Sequence, residues 1–164
     1  MYGSGTYRRI KEFIDEYGVG IAKSISNTGL YFPMVVGQSA YESGYGDRIP
    51  TGSNNFGGIK YNPNLSGVIG YVVEDTTEVI NGKRVRVQQK FAKFKDVEAG
   101  FRAHIQLLMA DRYRNARLNA KSPEEQLLMV AKAGYTTTPP EQYTKAIKPL
   151  VEASRDYSKL GRIV

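Results

Sequence analysis

The chain lacks cysteine and tryptophan altogether and carries one histidine in 164 residues. Without cysteine there is no disulfide framework, no thiolate metal site and no thiol nucleophile. One imidazole is too few for a zinc centre, so neither a metal nor a cofactor is expected. No apolar run approaches the ~18 residues of a membrane span, and none is expected. Hydrophobic residues make up 41% and charged residues 24%, which excludes wholesale disorder and a collagen-like or coiled-coil chain. The segment Met1–Gly5 has no basic-then-apolar signal peptide. The expectation is export by another route, or a domain excised from a longer protein. The length suits one domain over residues 1–164.

Acidic side chains are the scarcer charge, 16 against 23 Lys plus Arg, for a formal +7. A basic surface favours polyanions: nucleic acid, anionic lipid or an anionic cell wall. The cations are spread along the chain and no nucleic-acid motif is present, so nucleic acid is not an expected partner.

Ile10, Phe13, Ile14, Tyr17, Ile21 and Ile25 recur at helical spacing and predict a helix over about Thr6 to Ser26. Pro33 suits a first helical turn, and a short apolar helix to Ser43 should end at Gly44 and Gly46. A long glycine- and asparagine-rich loop follows from Pro50 to Gly70. Val72–Ile80, Asn81-Gly82 and Lys83–Phe91 read as a β-hairpin with a type I′ turn. That turn pairs Glu78 with Val85, Glu74 with Gln89 and Val72 with Phe91. It puts Glu78 and Glu74 on the face of Val85, Val87 and Phe91, opposite a charged, wet face. Asp96 should cap a helix to about Asp111. Ser122-Pro123-Glu124-Glu125 should start another that ends at Gly134, and a last helix runs from about Pro140 to Ser158, interrupted or kinked near Pro149. The fold class is therefore α+β, mainly α, with the hairpin as a small lobe over a helical body.

Few mechanisms keep their parts in such a chain. His104 lies on an apolar helical stripe and reads as a core residue rather than a triad member. Gly57-Gly58-Ile59-Lys60 lacks the spacing of a phosphate loop. Carboxylate chemistry remains. Glu42 closes an apolar helix, either as a solvated helix end or as a general acid that desolvation keeps protonated. Glu78 is a carboxylate on the apolar hairpin face, either a catalytic partner or a hairpin-end residue paired with a lysine, and Glu74 is its reserve. One acid on the body and one on the lobe is a layout that glycosidases use.

The segment Gln38-Ser39-Ala40-Tyr41-Glu42-Ser43-Gly44-Tyr45-Gly46 resembles the AQ-x-x-x-ESG-W-G segment of the bacterial cell-wall N-acetylglucosaminidases, glycoside hydrolase family 73. Asn54-Asn55-Phe56-Gly57-Gly58-Ile59-Lys60 is similar to the family's N-x-F-G-I-K, and Thr77-Glu78-Val79-Ile80-Asn81-Gly82 to its T-E-Y-x-N-G hairpin. Phe91-Ala92-Lys93-Phe94 resembles F-R-x-Y, His104–Leu108 resembles H-x-x-L-L, and Gly134-Tyr135-Thr136-Thr137 resembles G-Y-A-T. All six occur in family order. Departures are Tyr45 where the family usually has Trp, the additional glycine at 57 or 58, Thr138 where Asp is common, and two extra residues before Tyr143.

The resemblance implies a lysozyme-like helical body with a hairpin lobe over about residues 68–92, and the glycan strands of peptidoglycan as substrate. It implies Glu42 as general acid, Glu78 as the second catalytic carboxylate and Tyr135 beside the scissile bond. Gln38, Tyr45, Asn55, Phe56, Lys60 and Tyr61 are the substrate-binding candidates, with Phe94 and Tyr113 as either cleft or core. The reading is an endo-β-N-acetylglucosaminidase, monomeric, acting outside the cell, in the wall or periplasm, or borne on a phage particle. Alternatives are a lytic transglycosylase or muramidase on the same scaffold, or a non-catalytic wall-binding or phage-tail module.

Overall fold

The stripe of Ile10, Phe13, Ile14 and Ile21 forms the buried face of α1 (Ser4–Ile25) in the computed structural model, which describes residues 3–159. Met1 and Tyr2, in the segment read for a signal peptide, and residues 160–164 lie outside the described residues. The short apolar helix is α2 (Phe32–Ser43), with Pro33 in its first turn and every residue from Met34 to Ala40 buried. A helix buried all round belongs at the centre of a body, and α2 lies between α1 and α6 (Pro140–Lys159). Gly37 allows the closest approach: a Cβ there would stand 2.6 Å from Val151 Cγ2 and 3.1 Å from the Val151 backbone nitrogen.

The hairpin is β1 (Val68–Ile80) and β2 (Lys83–Phe94), longer at its base than the sequence reading had it. Its register is the expected one, with Glu78 opposite Val85, Glu74 opposite Gln89 and Val72 opposite Phe91. Asn81 and Gly82 both have positive φ, 51° and 77°, as a type I′ turn demands. Even-numbered residues of β1 from Val68 to Glu78 are half-buried and the odd ones exposed.

The long loop between α2 and β1 is tied to the base of this hairpin. The Asn55 amide donates to the carbonyls of Ile59 (2.8 Å) and Ala92 (2.9 Å), while its oxygen accepts from the Ile59 N–H (3.0 Å). The Asn54 amide donates to the Phe94 carbonyl at 3.1 Å, and Phe94 N–H donates to the Ser53 carbonyl at 2.8 Å. Ile59, Ala92 and Phe94 make a small second core there. Phe56 carries the loop into the main core, stacked on Phe101 at 4.5 Å between centroids.

Asp96 caps α3 (Val97–Leu108) by accepting from the Ala99 N–H, but α3 stops three residues short of the expected end. A 3₁₀ turn (Asp111–Tyr113) and a helix the sequence reading missed, α4 (Arg114–Asn119), fill the gap. Six residues with only Ala116 buried are too short to show a periodic stripe. Ser122 accepts from the Glu125 N–H at the start of α5 (Pro123–Val130), which runs into a π-type turn over Ala131–Tyr135 with Gly134 at φ 98°. The last helix, α6, continues through Pro149 instead of breaking there.

Candidate functional site

The C-terminal end of α2 sets the position of Glu42. Gly44 takes the left-handed conformation (φ 56°), and Tyr45 N–H returns to the Ala40 carbonyl at 2.7 Å. The Ser43 hydroxyl donates to the Ser39 carbonyl at 2.6 Å and accepts from Gly46 N–H at 2.9 Å, locking the turn that follows. Glu42 itself is exposed, so the expectation of a desolvated carboxyl is not met.

What holds the Glu42 carboxylate is a buried polar chain. The Tyr143 hydroxyl of α6 donates to Glu42 Oε1 at 2.8 Å. The Gln38 amide donates to that hydroxyl at 3.3 Å, and its oxygen faces His104 Nε2 at 3.2 Å. Because the Gln38 NH₂ points to Tyr143, the Gln38 oxygen accepts, and His104 carries its proton on Nε2. Gln38 and His104 are fully buried and Tyr143 is 4% exposed. Burial pushes the His104 imidazole down to about 4, so it is neutral around pH 7. Burial first, and then the charge of Glu42, push the Tyr143 and Tyr135 phenols far above the ordinary tyrosine value, so both keep their protons.

Two cavities open beside Glu42. The larger, about 790 Å³, is walled by Tyr135, Thr136, Thr137, Arg112, Tyr113 and the Gly57–Gly58 backbone. The smaller, about 410 Å³, lies under the hairpin and is walled by Asn55, Phe56, Arg48, Glu74, Asp75 and Phe91. Glu42 lines both. A carboxyl group shared by two cavities suits cleavage of a bond whose two halves rest in separate pockets.

The hairpin acids divide between these surroundings. Glu74, the reserve candidate, shares the smaller cavity with Glu42. Glu78 lines neither cavity and stands 3.8 Å from Lys60 Nζ. Lys60 is thus held at the hairpin face, and Tyr61 packs against Tyr71 at 5.1 Å between centroids. The Tyr45 ring turns towards α1, under the Arg9 guanidinium at 4.1 Å. Gln38 is sealed in the core, and Asn55 and Phe56 reach the smaller cavity only from beneath its floor, so none of the three presents an open face to a ligand. Phe94 and Tyr113 are core residues, each 1% exposed, though Tyr113 backs the larger cavity.

The sequence reading missed Tyr143 and Arg112. Tyr143 lies 101 positions from Glu42, and no local pattern couples residues so far apart. Among the described residues no group of His, Asp and Glu could hold a metal ion.

Residues 20–156 match the family model Glucosaminidase, described as mannosyl-glycoprotein endo-beta-N-acetylglucosaminidase. The chain is 28% identical over 165 residues to the peptidoglycan hydrolase FlgJ of Pseudomonas aeruginosa, covering 97% of this chain but 40% of that protein. It therefore spans less than half the length of that curated relative. The C-terminally truncated glycoside hydrolase domain of Salmonella typhimurium FlgJ has a similar fold, with a TM-score of 0.71 at 23% identity, covering 90% of this chain and 98% of that one. So does the catalytic domain of the autolysin Auto from Listeria monocytogenes, with a TM-score of 0.75 at 21% identity, covering 90% and 85%.

Proposed function

Since this chain belongs to the glucosaminidase family, we propose that it hydrolyses the glycan strand of peptidoglycan as an endo-β-N-acetylglucosaminidase. The observation that carries the reading is Glu42 lining two cavities with one carboxylate oxygen fixed by Tyr143. With Oε1 occupied, the proton to be delivered sits on Oε2. Glu42 protonates the glycosidic oxygen as the bond to the anomeric carbon breaks, and the anion left behind keeps the Tyr143 hydrogen bond. A hairpin carboxylate steadies the oxocarbenium-like transition state or activates water. Family resemblance favours Glu78 for that part, and the shared cavity favours Glu74. Tyr135 lines the cleft beside the scissile bond. Lys60 and Tyr61 contribute at the outer rim, while Gln38, Asn55 and Phe56 act from within by holding the walls, and Tyr45, packed under Arg9, supports the turn that follows Glu42.

The chain acts as a monomeric catalytic domain in the periplasm or cell wall. No helix among the described residues is long and apolar enough to cross a membrane. Mass spectrometry of the fragments released from purified peptidoglycan tests the reading. Reducing N-acetylglucosamine ends are the expected product. Reducing muramic ends would make it a muramidase, anhydro-muramyl ends a transglycosylase, and an absence of fragments a non-catalytic wall-binding module.

A further inference from the structure

The two cavities beside Glu42 differ in charge. Besides Glu42, the charged groups in the described lining of the smaller are Glu74 and Arg48, which offset each other, while the Asp75 carboxylate is on the opposite hairpin face, 3.7 Å from Arg86. In the larger, Arg112 is the only charged side chain besides Glu42 among the described residues. Arg112 is exposed, and its guanidinium lies over the Tyr113 ring at 4.7 Å. A Cβ on Gly134 would touch Arg112 Nη1 at 3.4 Å, so the bare backbone beside Tyr135 leaves room for the arginine. Among the described residues no carboxylate lies within ion-pair distance of Arg112. A preordered guanidinium without an acidic partner, on the wall of a cavity of about 790 Å³, suits a ligand carboxylate.

Peptidoglycan strands alternate a neutral sugar, N-acetylglucosamine, with muramic acid, whose 3-position carries a lactyl group and usually a peptide. We propose that the larger cavity seats the muramic residue and that Arg112 binds a carboxylate carried on its 3-position, while the smaller cavity, where Glu74 offsets Arg48, takes the neutral N-acetylglucosamine. This rests on the glucosaminidase reading and adds a direction to it. The strand lies so that Glu42 protonates an oxygen that leaves with the muramic sugar. The carboxylate belongs either to the lactyl group itself or to the peptide attached to it.

The test measures binding to the full chain bearing Glu42→Gln, which prevents turnover, with and without Arg112→Gln. Three probes are compared at low salt: solubilised peptide-bearing strands, strands stripped of peptide so that the lactyl carboxylate is free, and neutral N-acetylglucosamine oligosaccharides. The readout is the affinity ratio of each carboxylate-bearing probe to the neutral one. Arg112→Gln should lower that ratio about tenfold, and Arg112→Lys, which keeps a cation and an aliphatic stem over Tyr113, should fall between. A fall with the stripped strands alone assigns the lactyl carboxylate, a fall with peptide-bearing strands alone assigns a carboxylate of the peptide, and a fall with both means that Arg112 takes either one. A ratio unchanged by Arg112→Gln overturns the proposal, as does a lysine variant no better than glutamine. Failure of the glucosaminidase reading shows separately, in the ends that the unaltered protein releases.

Discussion

The hydroxyl of Tyr143 and the carboxylate of Glu42 are joined by a hydrogen bond of 2.8 Å between two helices far apart in the chain. Tyr143 is buried and Glu42 is exposed, so the body anchors the acid from behind and leaves its second oxygen to the cleft. Replacing Tyr143 by Phe keeps the ring and removes the donor. A hydrogen bond to a charged group is worth about 1.5–3 kcal/mol, so kcat should fall roughly 10- to 100-fold while KM changes little. An unchanged kcat would remove Tyr143 from the mechanism.

Glu42→Gln tests the acid itself. The amide fits the same space but supplies no proton to the leaving oxygen, and the loss should be roughly 10²- to 10⁴-fold in kcat. Folding, followed by thermal melting, should be unaltered, since Glu42 is exposed. Near-normal hydrolysis by this variant would sink the mechanism.

Glu74→Gln and Glu78→Gln separate the two hairpin acids. Glu74 shares a cavity with Glu42, whereas Glu78 stands beside Lys60 at the hairpin face. If the cavity seen here is the catalytic one, Glu74→Gln is the more damaging change in kcat. If the hairpin bends further over the body when substrate binds, Glu78→Gln is. Equal, small losses would mean that neither carboxylate takes part.

His104 ties stability to pH. Its folded-state value is near 4 and its unfolded value near 6.5, so the unfolded chain binds the extra proton between them. The contribution of neutral His104 is therefore complete above pH 6.5 and lost as pH falls towards 4, about 3 kcal/mol at most. Urea melts of wild type and His104→Gln across this window check it. The wild-type midpoint should fall more steeply than the variant's.

At the hairpin tip, Gly82→Val places a β-branched residue at φ 77°. The lobe should loosen and turnover slow, while the helical body stays folded by circular dichroism. Unchanged activity would show that the lobe's outer half is dispensable.

Local signals in the sequence were strong where a single residue type decides the conformation. Asn81-Gly82 fixed the hairpin register residue by residue, and Asp96 and Ser122 marked helix starts that their side chains do cap. The role of His104 as a core residue was equally legible, from its place on an apolar stripe. The site was legible only in part. Glu42 stood out as an acid closing an apolar helix, but its partner Tyr143 and the cavity cation Arg112 meet it through tertiary packing. Gln38, Asn55 and Phe56 were marked by a motif that does not distinguish a residue touching a ligand from one holding the wall behind it. The helix α4 was missed because one turn and a half carries no period.

The hairpin is a sheet of only two strands, and its firm attachments are all at the base, where Ser53, Asn54 and Asn55 grip Ala92 and Phe94. That makes it a lever with its fulcrum near Phe91. At about 3.4 Å per residue, Glu74, paired with Gln89, rides about 7 Å along the arm, and Glu78, paired with Val85, about 20 Å. Any tilt about the base carries Glu78 roughly three times as far as Glu74. The Glu42–Glu78 separation is thus governed by an angle, and the Glu42–Glu74 separation far less so. A substitution that pushes on the fulcrum loop, such as Gly100→Ala in α3, whose methyl group would collide with the Asn54 carbonyl, would reset the reach of the arm without touching either acid.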